Sequence, residues 1–147
     1  IQVFAVSRGG KWTYHGPGQV LIYPIVSLPS LGYPRRGVRK FVGDLAAGLQ
    51  AFLSAHQLES EVRDTPFGLY LPKGKVASFG LAFRNGISSH GVAMYLESQQ
   101  AAFQGIVPCG VPCPITSLAE SGVQLDWNSA SVEMGDFVKR SFQAKKN

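Results

Sequence analysis

Apolar side chains return at helical spacing along residues 38–53. Val38, Phe41, Val42, Leu45, Leu49, Phe52 and Leu53 share one face, which predicts an amphipathic helix. Gly43 and Gly48 weaken that helix without breaking it. Elsewhere the pattern is that of strands. Residues 2–6 form a short apolar-rich run that ends at Ser7-Arg8-Gly9-Gly10. Residues 20–26 read as a buried strand, although Pro24 makes their second half a poor ladder. Between the two runs lies the turn signal His15-Gly16-Pro17-Gly18, and residues 27–36 form a proline-punctuated loop. Further strands are expected at 67–71, 76–83 and 92–96, with a tight turn at Arg84-Asn85-Gly86.

The run 76–83 alternates in size. Val76, Ser78, Gly80 and Ala82 are small, whereas Phe79, Leu81 and Phe83 on the opposite side are large. A face of small residues leaves room either for a ligand or for tight packing against a helix. Strict alternation puts Lys75 on the large side, and only a twist or bulge near Gly74 brings it round to Ser78. Ser117 and Glu120 have the spacing of a capping box. Met134, Phe137, Val138 and Ser141 predict a closing helix. The expectation is an α/β (α+β layered) fold in one domain over residues 1–147.

Composition narrows the class. Of 147 residues, 45% are hydrophobic and 16% charged, a globular rather than disordered balance. No apolar run is long enough to span a bilayer, and no signal peptide is visible ahead of Arg8. Fourteen Lys and Arg against nine Asp and Glu give +5, which suits an acidic partner or simple solubility. No interleaved aromatic and basic stripe supports nucleic-acid binding. Cys109 and Cys113 do not make a disulfide framework, and reduced thiols in the cytoplasm are the expected state.

Three segments carry candidate chemistry. Arg8-Gly9-Gly10-Lys11-Trp12-Thr13-Tyr14-His15-Gly16-Pro17-Gly18-Gln19 places polar groups around a backbone free to approach a ligand closely. Its spacing fits neither the P-loop nor the dinucleotide fingerprint, and on pattern alone a glycine-rich corner between strands accounts for it better. Cys109, in Val107-Pro108-Cys109-Gly110, is a nucleophile if a cation such as Lys75 favours its thiolate. Most lone cysteines and lysines have neither role. His90, beside Gly91, is a proton shuttle or a polar turn residue. A zinc site from Cys109, Cys113, His15 and His90 is disfavoured, because Cys-x3-Cys without paired histidines is unusual for zinc. No metal or cofactor is expected.

Together these motifs resemble one family. Arg8-Gly-Gly-x-x-Thr13-Tyr14-His15-Gly-Pro-Gly-Gln19 is similar to the signature of lipoyl(octanoyl) transferases. Lys75-Val-Ala-Ser78-Phe-Gly80 resembles their lysine motif. Ser89-His90-Gly91-Val92-Ala93, Pro108-Cys109-Gly110 and Thr116-Ser117-Leu118 follow in the family's order. The resemblance implies the biotin/lipoate ligase catalytic core, a mixed sheet flanked by helices. It implies transfer of octanoyl from octanoyl-acyl carrier protein to a lysine of a lipoyl domain, the first step of endogenous lipoylation. The acceptors it implies are 2-oxoacid dehydrogenases and the glycine cleavage H protein, with no nucleic acid or membrane partner. Carried over by residue, Cys109 is the thioester nucleophile and Lys75 stabilises its thiolate. Arg8, Gly9, Gly10, Lys11, Trp12, Thr13, Tyr14 and His15 line the substrate site. Ser78, Phe79 and Gly80, with His90, Gly91, Val92 and Ala93, surround the acyl chain. Either Lys75 or His90 takes the proton of the attacking amine. The implied compartment is the cytoplasm, or an organelle if a targeting segment has been removed.

Three positions depart from the family's pattern. Only seven residues precede Arg8, where members carry several dozen more that add strands and a pocket wall. Tyr95 stands where Asn is usual, a change expected to narrow the pocket or lose a hydrogen bond. Ala46 stands where the helix usually has a glutamate. Two rival readings follow: an ATP-dependent lipoate ligase, disfavoured by Gly16 after His15 and by the Pro-Cys-Gly, and a non-catalytic binding relative.

Overall fold

The computed structural model describes residues 2–10, 12–104, 106 and 112–143. Five strands, β1 (Gln19–Ile22), β2 (Glu61–Asp64), β3 (Phe67–Leu71), β4 (Gly74–Arg84) and β5 (Ile87–Tyr95), form one sheet in the order β1-β5-β4-β3-β2. All four pairings are antiparallel, and one isolated parallel bridge joins Lys75 to Ile115. Helices α1 (Val38–Ala55) and α3 (Trp127–Gln143) pack together on one face, and the single turn α2 (Gln100–Phe103) lies on the other. The expected layered α+β class is the one observed.

The apolar stripe of α1 behaves as its spacing requires. Phe41, Leu45, Leu49, Phe52 and Leu53 are fully buried against Val20, Leu69, Val76, Ala77 and Met94 of the sheet. Gly48 is where α3 crosses. A Cβ there would stand 2.8 Å from Ser141 Oγ and 3.0 Å from Val138 Cα, so its lack of a side chain permits the close approach of the two helices. Phe41 stacks on Phe142 at 4.9 Å beside that crossing. Asp126 caps α3, its Oδ1 accepting from Ser129 N at 3.0 Å. The hydrogen bonds from Ser129 hold its carboxyl below the usual 3.8.

Three expectations are corrected. Residues 2–6 form no strand; Val3, Phe4 and Val6 are exposed and pair with no neighbouring strand among the described residues. Apolar content alone does not make a ladder without a partner edge. β5 begins at Ile87, so His90 and Gly91 sit within a strand rather than in a loop. Val76 does not share the face of Ser78. β4 carries an extra residue where the register shifts opposite Leu69 and Tyr70, so that both Val76 and Ala77 are buried toward the helices.

Candidate active site

That bulge decides where Lys75 goes. Tyr70 pairs with Lys75 and Gly68 with Ser78, and Gly68 and Tyr70 point to the same side of β3. Lys75 therefore reaches the face of Ser78, away from α1. It is fully buried, its Nζ donating to Phe67 O at 2.7 Å and standing 5.9 Å from the centre of the Tyr70 ring. Gly68 makes the space: a Cβ there would lie 2.3 Å from Lys75 Cε and 2.6 Å from Ala77 O.

The backbone of Lys75 holds the chain that follows the candidate cysteine. Lys75 N donates to Pro114 O at 2.8 Å, and Thr116 N donates to Lys75 O at 2.9 Å. Cys109 itself, like Lys11, lies outside the described residues. Cys113 is partly exposed with a free thiol, and it lines a separate hollow with Lys73, Phe103 and Ile115.

The small residues of β4 and β5 meet in register, Ser78 with Ala93 and Gly80 with Gly91. They floor a shallow cleft that opens to solvent. Arg8, Gly10, Trp12, Thr13 and His15 wall it, and Phe79 and Val92 contribute to the lining. The wall is fixed to the floor: Gly9 N donates to Leu81 O at 2.9 Å. Gly80 is needed there, since a Cβ would stand 2.9 Å from Arg8 Cδ and 3.3 Å from Gly9 O. The large side of β4 faces the helices, where Phe83 meets Phe41. A mostly apolar floor with a few polar groups at the rim suits a short acyl chain carrying a polar end.

Most of the expected site residues thus converge. Gly9, Tyr14, Lys75 and His90 are not among the residues that line the cleft. Tyr14 packs edge-on against Phe103 at 6.2 Å, and His90 lies edge-on to Tyr23 at 5.8 Å. Tyr23 joins the lining without any motif to mark it. Tyr95 is not among the residues that line the cleft. Its ring is buried against Phe103, and its hydroxyl shares a 2.6 Å hydrogen bond with Ser78 Oγ. Ala46 is buried in the apolar face of α1, which leaves no carboxylate at that position. Among the described residues no three His, Cys, Asp or Glu side chains converge as a metal site, and no helix is long and apolar enough to cross a membrane.

Comparison with known proteins agrees with the fold and the motifs. A biotin protein ligase from Aquifex aeolicus superposes with a TM-score of 0.57 at 11% identity, over 86% of this chain and 54% of that one, a likeness of fold. The octanoyltransferase of Chromohalobacter salexigens is 42% identical over 110 residues, covering 75% of this chain and 49% of the relative. The octanoyltransferase of Acidiphilium cryptum is 36% identical over 97% of this chain and 66% of its own length. A probable octanoyltransferase of Pyrobaculum arsenaticum is 36% identical over 86% of this chain and 57% of its own. The chain thus spans about half to two thirds of the length of these curated relatives. The family model of the lipoyl protein ligase A/B catalytic domain matches residues 1–143. By motif order, fold and this match, the chain belongs to the lipoyl protein ligase A/B catalytic domain family.

Proposed function

We propose that the protein transfers octanoyl from octanoyl-acyl carrier protein, through a thioester on Cys109, to the acceptor lysine of lipoyl domains. The observation that carries this reading is the β4 bulge, which turns a buried lysine to the same side of the sheet as Ser78. The chain following Cys109 is bonded to that same lysine's backbone on both sides. Similarity to octanoyltransferases supports octanoyl as the group transferred, and the motif resemblance implies the donor and acceptor classes.

In the first step the Cys109 thiolate attacks the carrier thioester. A carbon–sulfur bond to Cys109 forms, and the carrier's carbon–sulfur bond breaks to release the carrier thiol. Lys75 favours the attacking thiolate by its charge. The octanoyl chain lies along Ser78, Gly80, Gly91 and Ala93, with Arg8 and Thr13 at its polar end. In the second step the acceptor amine attacks the enzyme thioester, the amide forms and the Cys109 thiolate leaves. The exchange of one thioester for another is nearly balanced, and amide formation drives the sum without ATP. The proposed acceptors are 2-oxoacid dehydrogenase lipoyl domains and the glycine cleavage H protein, and the proposed compartment is the cytoplasm or an organelle that holds both partners.

The test is intact mass after incubation with octanoyl-acyl carrier protein, without ATP or acceptor. The expected gain is one octanoyl group, removable by hydroxylamine, absent in Cys109→Ser and retained in Cys113→Ala. An unmodified wild type that is well folded overturns the thioester route.

A further inference from the structure

The strip of small residues that floors the cleft runs on beyond it. The register between β4 and β5 is unbroken from Ser78 opposite Ala93 to Arg84 opposite Ile87, so Ser78, Gly80, Ala82 and Arg84 share one face. Ala82 and Ser89, the next pair on that face, extend the strip toward the hairpin turn. There the surface changes character. Arg84 and Ile87 are cross-strand partners and both exposed, Ile87 to 50%. Ile25, just before the bridge that joins Ser27 to Ile87, is 66% exposed. The loop ahead of α1 folds over the same turn. Leu28 N donates to Gly86 O at 2.8 Å, and a Cβ on Gly86 would stand 3.4 Å from Arg35 Cγ. Phe41, in the first turn of α1, meets Phe83 edge-on at 5.8 Å.

Exposed cations therefore gather at this end of the sheet: Arg35, Arg36, Arg39, Lys40 and Arg84. None of them belongs to an ion pair among the described residues. Residues 1–43 and 65–96 contain no Asp or Glu, so the segments that carry these cations bring no counter-charge with them. Arg39 and Lys40 stand in the first turn of α1, where no acidic residue offsets them. Cations are disfavoured at the positive end of a helix, and a negative partner docked there would relieve that cost. Distance selects which partner. Lys75 Nζ lies 3.0 Å from where a Gly68 Cβ would be, and Gly68 pairs with Ser78. From Ser78 to Arg84 the strand runs about 20 Å. A lysine side chain on a lipoyl domain reaches only about 6 Å from its backbone, too short for that span. An extended phosphopantetheine arm reaches roughly 17 Å, and the arginine side chains supply the remainder.

We propose that this basic end of the sheet is the docking surface for the acyl carrier protein, an acidic protein bearing such an arm. Its acidic face meets the arginines and Lys40, and Ile25 and Ile87 take its apolar contacts. The arm lies along the strip formed by Ala82 and Ser89 and delivers the thioester to the cleft. This rests on the transfer reading above and gives its donor a place on the molecule. The lipoyl domain, with its shorter reach, docks at the cleft itself.

The test sets the carrier against donors and acceptors that lack its surface. Affinity of the full-chain protein for holo-acyl carrier protein is titrated at low and raised salt, which needs no turnover. Arg36→Glu combined with Arg84→Glu is expected to weaken binding roughly tenfold at low salt, with the difference shrinking as salt rises. The same variant should raise KM for octanoyl-acyl carrier protein by a similar factor at nearly unchanged kcat. Acylation by octanoyl-pantetheine, which has the arm without the protein, should be unchanged. So should single-turnover transfer from preformed octanoyl-enzyme to a lipoyl domain. Arg39→Glu separates docking from folding: it should weaken carrier binding while raising the urea midpoint, because it puts an acid in the first turn of α1. Unchanged carrier affinity in the double variant overturns the docking surface and leaves the transfer reading standing. Slowed transfer to the lipoyl domain with unchanged carrier kinetics assigns the patch to the acceptor and overturns the proposal. A wild type that binds the carrier through these residues but never acquires octanoyl overturns the transfer reading alone.

Discussion

Gly68→Ala is expected to destabilise the protein although it adds a single methyl group. The new Cβ would stand 2.6 Å from Ala77 O, a backbone atom, and 2.3 Å from Lys75 Cε. Relief to an ordinary contact requires β3 and β4 to part by roughly 0.8 Å and Lys75 to withdraw. Overpacking of this kind costs about 1–3 kcal/mol. Displacing Lys75 from Phe67 O forfeits a charge-assisted hydrogen bond worth about 1.5–3 kcal/mol, part of which the moving lysine recovers elsewhere. Against this, replacing glycine within a strand recovers only about 0.5–1 kcal/mol of chain entropy. The net loss should be about 2–4 kcal/mol, read as a lower urea midpoint at unchanged slope. Gly43→Ala is the control of opposite sign, because nothing lies within 4 Å of a Cβ there and a mid-helix alanine gains about 0.5–1 kcal/mol. A Gly68→Ala protein as stable as the wild type, with unaltered acyl transfer, would refute the claim that this glycine makes the space for Lys75.

Three further outcomes are expected. Lys75→Met keeps most of the buried volume but removes the charge, and alkylation of Cys109 at neutral pH should slow by roughly 10–100-fold, the thiolate lost for one or two units of thiol pKa; alkylation rate against pH checks this. Tyr95→Phe deletes the bond to Ser78 Oγ, and urea denaturation should show a loss of about 1 kcal/mol with transfer nearly unchanged, since the ring lies outside the cleft. The Asp126 carboxyl is held below 3.8, so its contribution to stability is present above that pH and is lost as pH falls through the lower folded value. In Asp126→Asn the dependence of unfolding on pH below 4 should flatten, and an identical acid limb in both proteins would count against the cap.

Much of the scaffold was legible from spacing. The seven apolar positions of α1 admit one face and one partner layer, and 67–71 coincides with β3. β2 was invisible because Glu-Val-Arg-Asp is polar and wholly exposed, an edge strand whose register comes from β3 rather than from its own pattern. Lys75 fell on the wrong face under strict alternation. The available signal was two adjacent apolar residues, Val76 and Ala77, where a period of two allows only one to be buried. In the other direction, residues 2–6 looked like a strand because composition says nothing about an available edge. The site's motifs were readable as motifs, but the side-chain hydrogen bonds that join Gln99 to Gln19 and Gln19 to His15 were not. Gln99 lies 80 positions from Gln19, and nothing near it in sequence marks its partner.

That separation has a consequence for the order in which the protein assembles. Strands β2 to β5 follow one another as successive hairpins, each joined by a short turn, so their contacts close small loops. β1 must instead return across about half the chain to meet β5, and the hydrogen bond from Trp127 Nε1 to Gln19 O spans 108 positions. Closing so long a loop brings its entropic cost before any contact rewards it. The segment bearing Arg8 to His15 enters directly into β1, so the cleft should be completed by the last docking event and opened by the first local release. Amides of β1 should therefore exchange with deuterium faster than those at the β4–β5 pairing, and occupation of the cleft should narrow that difference.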